Sequence, residues 1–240
     1  MKRQSVRKLL LLIALFLFPI TIYYFSPYVI IQGAMEGVIT GSFVVFLGML
    51  IGALLFGRLF CGYMCPAGGI QECAIMVNDK SPKQGWKNYI KYIIWVLWIL
   101  AIVALFLIQK NDITVNFFYL TDHGISVANI YGYVIYYGVL LLIFMPSVLF
   151  GKRIFCHYFC WMAPFMVIGT KIGNLLSVKR LRLHGNKAAC ISCHKCDKAC
   201  PMSLSVTVKV QKEKMDDSEC ILCGACVDIC PKGAISYKFK

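Results

Sequence analysis

Runs of apolar residues with no polar face dominate most of the chain, and short polar or basic segments separate them. Roughly 20 helical residues rise about 30 Å, the thickness of a bilayer's hydrocarbon core. Four runs therefore predict membrane spans: Leu9 to Ile31, Val38 to Gly57, Tyr89 to Ile108 and Ile130 to Phe150. The first is longer than a signal-peptide core and offers no small-x-small cleavage site, so it is expected to stay as an anchor, kinked or ended by Pro19 and Pro27. Two further apolar stretches, Pro66 to Val77 and Trp161 to Thr170, are too short to span and predict broken or interfacial helices packed on the bundle. Near Leu181 the pattern changes: LRLHGNK reads as a polar linker. Ser205 to Val210 and Ile235 to Phe239 alternate with period two, as short strands do.

This divides the 240 residues into a transmembrane part, 1–180, and a small cytoplasmic module, 181–240. A hydrophobic share of 59% with only 15% charged residues excludes a water-soluble enzyme. The net charge of +14 would suit nucleic acid, but twenty-four of the twenty-five Lys and Arg residues fall on one side of the predicted spans. The positive-inside rule then explains the excess and places both termini in the cytoplasm of a prokaryotic cell with a multi-pass membrane protein; no nucleic-acid partner is expected.

Within the membrane part, Arg58-Leu59-Phe60-Cys61-Gly62-Tyr63-Met64-Cys65 repeats as Arg153-Ile154-Phe155-Cys156-His157-Tyr158-Phe159-Cys160. Each copy follows the second span of a two-span hairpin, so the bundle is expected to consist of two pseudo-repeated halves. Cysteines four apart project from one face of a helical turn, and two such clamps facing each other would make a four-sulfur site at the cytoplasmic interface. An additional iron–sulfur centre at Cys61, Cys65, Cys156 and Cys160 is the leading expectation, with zinc, copper or a dithiol pair as alternatives. Arg58 and Arg153, one turn earlier, are placed to offset thiolate charge. Cys73 has no counterpart and reads as structural.

The tail carries Cys190, Cys193, Cys196 and Cys200-Pro201, then Cys220, Cys223, Cys226 and Cys230-Pro231. This spacing matches the run that holds two [4Fe-4S] clusters in bacterial ferredoxins, where the fourth cysteine of each run serves the other cluster. Cys190, Cys193, Cys196 and Cys230 are assigned to one cluster, and Cys220, Cys223, Cys226 and Cys200 to the other. Zinc sites favour two separated pairs, and cytoplasmic thiols stay reduced, so neither zinc nor disulfides fit as well. The fold class is thus an α-helical membrane bundle of about four spans plus an α+β ferredoxin-type domain.

Taken together, these motifs resemble the membrane-bound ferredoxin-type proteins similar to NapH, over nearly the whole chain. The one departure is Trp161, where the second Cys-x3-Cys-Pro element of that group has proline. The resemblance implies electron transfer between a quinone pool or a cytoplasmic donor and a partner redox protein, such as a respiratory reductase or an exported flavoprotein. A quinol dehydrogenase variant would use His157, Tyr63 or Tyr158 for the proton. A copper reductase or cofactor-maturation factor is the second class, and a redox-sensing regulator the third. Paired histidines for haem are missing from the predicted spans.

Overall fold

The computed structural model describes residues 2–82, 85–109 and 113–239. Lys83, Lys110 and Lys240, which entered the loop-charge reading, lie outside the described residues. The first part is helical: α1 (Lys2–Phe16), α2 (Phe18–Thr21), α3 (Pro27–Glu36), α4 (Gly41–Phe56), α5 (Leu59–Tyr63), α6 (Pro66–Ile75), α7 (Ile90–Ile108), α8 (Ile130–Phe150), α9 (Ile154–Tyr158) and α10 (Ala163–Leu175). Strand β1 (Val38–Thr40) pairs in parallel with β2 (Thr114–Asn116). The tail holds β3 (Leu181–Gly185), α11 (Lys195–Ala199), α12 (Val206–Gln211), α13 (Ala225–Ile229) and β4 (Ile235–Phe239).

Among the described residues, two helices are long and apolar enough to cross a membrane, Trp86–Ile108 and Ile130–Phe150. The run at Leu9 to Ile31 is not one helix: it bends by 57° between Arg3–Phe16 and Phe18–Phe25, where Pro19 enters the first turn of α2, and Pro27 opens α3 afresh. The run at Val38 to Gly57 loses its first residues to β1, leaving the shorter apolar helix Gly41–Phe56. Side-chain caps fix the helix starts: Ser26 Oγ accepts from Val29 N, Thr40 Oγ1 from Phe43 N, and Asn129 Oδ1 from Gly132 N at 2.8 Å.

Helices α4 and α8 both stop at a glycine with positive φ, Gly57 at 59° and Gly151 at 105°. Only glycine takes such turns without strain, and each releases the chain into an arginine and a short helix, α5 or α9. The chain then folds back along the bundle. Gly169 and Gly173 of α10 lie against the carbonyls of Leu50 and Leu54, so α10 runs beside α4 in the same direction, and the Phe165 ring meets Phe46 at 5.2 Å. Gly69 of α6 lies against the Leu11 carbonyl, while Arg7 meets Glu72, so α6 runs antiparallel to α1.

In the tail, β3 and β4 pair antiparallel with Leu183 opposite Tyr237. The segment read as a linker at Leu181 is thus the module's first strand. The strand expected at Ser205 to Val210 is instead helix α12. Its Val206, Thr207 and Val210 are the buried residues, a helical spacing, and Asp197 Oδ1 accepts from Thr207 N at 2.8 Å near its start.

Candidate iron–sulfur sites

Both tail runs share a backbone path. Ser192 and His194 in one, and Leu222 and Gly224 in the other, take left-handed conformations directly before α11 and α13. That path wraps each loop around a hollow. One cavity is lined by Cys220, Cys223, Cys226 and Cys200, with Met202 and Ile221. The other is lined by Cys190, Cys193, Cys196 and Cys230, with Ile191 and Ile235. The trailing cysteine of each run therefore faces the other run's cavity. Thr207 Oγ1 lies 3.4 Å from Cys196 Sγ, and Ala234 N donates to Cys230 Sγ at 3.3 Å, contacts suited to stabilising thiolate charge.

The bundle cysteines Cys61, Cys65, Cys156 and Cys160 are each 3% exposed and belong to one apolar core. Burial pushes the Cys65 thiol well up, and its neighbours Cys61, Cys156 and Cys160 push it further; burial, then Cys156 and Cys61, raises Cys160 to about 12. The four thus stand close enough to sense one another. The site is buried within the helical bundle. The elements fold back into the core, and Cys65 and Cys160 lie just before the starts of α6 and α10. Cys73 is half-buried and does not join them.

The arginines have roles that the chain pattern did not reveal. Arg58 is fully buried and ion-pairs with Glu219, which Lys91 also reaches at 2.7 Å and Tyr92 Oη at 3.0 Å. Arg153, also fully buried, pairs with Glu72 at 2.8 Å and donates Nη1 to the Cys61 carbonyl at 2.8 Å; Arg7 completes the group, 2.9 Å from Glu72. Burial alone would raise both carboxyls, but Arg153 and Arg7 hold Glu72 at about 2, and Arg58 and Lys91 hold Glu219 at about 2. A polar pair inside the apolar stretch Pro66–Val77, Gln71-Glu72, was the one available sign.

Among the described residues no group of three or more His, Cys, Asp and Glu side chains is disposed to hold a single metal ion. Buried guanidinium donors nevertheless stand near the bundle cysteines without hydrogen-bond partners, Arg58 Nε and Nη2 and Arg153 Nε, and His157 Nε2 is buried and unpartnered as well. Burial, Lys91 and Arg58 lower the His157 imidazole to about 4, against the pull of Glu219, so the ring is neutral. Bridging sulfides supply acceptors that a lone zinc or copper ion lacks, so this donor set fits an iron–sulfur group.

The tail docks on this site. Gly62 lies so close to the Ile221 carbonyl that an added Cβ would come within 2.4 Å of it. Gln4 Nε2 donates to the Cys223 carbonyl at 2.9 Å, and Arg3 pairs with Asp228. Beyond the cysteines, away from the tail along α1, lies an apolar cavity of about 620 Å³ lined by Phe18, Ile22, Ala67, Phe155 and Trp161, with Tyr28, Gln32 and Asn129 as polar members. Trp161 Nε1 donates to the Phe25 carbonyl at 3.0 Å.

The 4Fe-4S binding domain family matches the chain over 38–84 and 131–183, and the 4Fe-4S dicluster domain family over 189–235. An uncharacterized protein of Methanocaldococcus jannaschii is 30% identical over 185 residues, covering 77% of this chain and 66% of its own length. YccM of Escherichia coli is 22% identical over 213 residues, 85% of this chain and 57% of its own. The ferredoxin-type protein NapH of Haemophilus influenzae is 24% identical over 199 residues, 80% of this chain and 66% of its own. The chain therefore spans less than two thirds of the length of YccM and about two thirds of the other two. No solved structure matches it. With 4Fe-4S domains in its membrane-helical part and in its tail, the chain is a NapH-like, ferredoxin-type 4Fe-4S electron-transfer protein.

Proposed function

We propose that the chain is an electron wire in a prokaryotic cell membrane, with a multi-pass transmembrane part at 1–180 and a cytoplasmic two-cluster domain at 181–240. In this reading Cys190, Cys193, Cys196 and Cys230 hold one [4Fe-4S] cluster, and Cys200, Cys220, Cys223 and Cys226 the other. Cys61, Cys65, Cys156 and Cys160 hold a further iron–sulfur centre between two pseudo-repeated halves. When bound, such centres each take up and release one electron. The chain's own part is to supply thiolates, balance their charge with Arg58 and Arg153, and exclude water.

The carrying observation is the contact of Gly62, beside Cys61, with Ile221, between Cys220 and Cys223. Two cysteine groups that meet backbone to backbone form a short route out of the tail and into the bundle. The start of α1 touches Cys223 and Asp228, which favours both termini lying on one side, with the basic loops. The double match of one family to 38–84 and 131–183 favours the repeat. The onward partner is a quinone or a second redox protein. The 620 Å³ cavity favours the quinone, because Ala67 and Trp161, within two residues of Cys65 and Cys160, form part of its wall.

The test uses anaerobic, detergent-solubilised full-length protein and reduced decylubiquinone, following the visible absorbance of the tail clusters. Quinol should bleach them in the wild type, and Cys61→Ser with Cys156→Ser should slow this at least tenfold while the tail clusters persist. Equal rates in both proteins, or oxidised tail clusters that neither accept electrons from the quinol nor return them, would overturn the reading.

A further inference from the structure

Gln71 and Met166 occupy the same place in their two halves, six residues after Cys65 and Cys160 respectively. Each reaches the first cysteine of the opposite half. Gln71 Nε2 donates to Cys156 Sγ at 3.1 Å, and Met166 Sδ lies 3.7 Å from Cys61 Sγ. Both side chains are buried, at 0% and 1% exposure, so neither contact is diluted by water.

The orientation of the Gln71 amide is fixed by its partners. Its Oε1 accepts from Cys156 N at 3.4 Å and Ser147 Oγ at 3.3 Å, while Nε2 also donates to the Ala67 carbonyl at 3.0 Å. A flipped amide would set oxygen against thiolate and N–H against N–H. The nitrogen therefore points at sulfur. Met166 has no hydrogen to offer its cysteine. Cys61 faces the Arg58 and Arg153 guanidiniums instead, so N–H groups on the Cys61 side come from the arginines and not from the residue that matches Gln71.

An N–H aimed at a ligand sulfur stabilises the extra negative charge of the reduced state and so raises the reduction potential. We propose that Gln71 and Met166 are an unequal pair of positioning residues that set the potential of the centre held by Cys61, Cys65, Cys156 and Cys160. Gln71 raises that potential from the Cys156 side, and Met166 withholds the matching donor on the Cys61 side. The inference rests on the reading of those four cysteines as an iron–sulfur site.

The experiment is a redox titration of the full-length protein followed by electron paramagnetic resonance, with iron counted in the same samples. Gln71→Met should shift the reduced-to-oxidised ratio of the bundle centre tenfold towards oxidised at fixed ambient potential, about 59 mV for one electron. Met166→Gln should move it the other way by a similar factor. Met166→Leu, which changes packing without adding a donor, should leave it in place, and the tail clusters should not move in any variant. Full iron with an unmoved bundle potential in Gln71→Met and Met166→Gln overturns the inference alone, as does a Met166→Leu shift as large as that of Met166→Gln. Wild-type iron near eight per chain, with no third signal, overturns the cluster reading beneath it.

Discussion

Glu219 joins Arg58, Lys91 and Tyr92 to a residue one step before Cys220, and so couples a buried charge in the bundle to the tail. Removing one partner of a buried ion pair leaves the other unpaired in a poor solvent, at a cost of about 3–5 kcal/mol. Glu219→Ala is therefore expected to lower the thermal unfolding midpoint and to expose the segment around Gly185 to trypsin, whereas Asp216→Ala, whose ion pair is more exposed, should do neither. Gly62→Ala makes a sharper probe, since its Cβ has no room beside the Ile221 carbonyl. It should slow quinol-driven bleaching of the tail clusters at least tenfold with their iron retained. Gly48→Ala, with nothing within 4 Å, should leave the rate unchanged. The tail cysteines were legible because the members of each cluster run lie three or four residues apart, so spacing alone exposes them. Glu219 and Glu72 were not: their guanidinium partners lie 161 and 81 residues away, and nothing local marks a pairing over that distance.

At the scale of elements, the repeated Cys-x3-Cys pattern was readable, but the backward fold that buries it was not. A Gly stop followed by a five-residue helix looks in the chain like a loop between spans, and only the packing of α6 on α1 and of α10 on α4 turns it inward. The same limit explains α12. Alternation over six residues fits a strand as well as a helix burying Val206, Thr207 and Val210, and tertiary contacts decided. Trp161 ties α10's approach to the break near Phe25, so Trp161→Phe should leave that carbonyl unpaired and destabilise the protein by about 1–3 kcal/mol, read by thermal unfolding. Ala67→Phe narrows the cavity behind the cysteines. It should weaken binding of a quinone analogue at least tenfold, measured directly by equilibrium titration, with iron content unchanged; undiminished binding would place the quinone elsewhere.

Over the whole molecule, three cysteine groups lead from the tail surface into the helical core, with arginine–carboxylate pairs at the join. The charge excess that could have suggested nucleic acid is spent partly there, on Arg58, Arg153, Arg7 and Lys91, each fully or almost fully buried. The central claim is that the bundle cysteines bind iron and sulfide as the tail cysteines do. Its most direct measurement is iron and acid-labile sulfide per chain in anaerobically purified protein, compared with Cys61→Ser plus Cys156→Ser. The account predicts about ten to twelve of each in the wild type, falling to about eight in the variant. About eight in both would contradict it, leaving the bundle thiols to other chemistry.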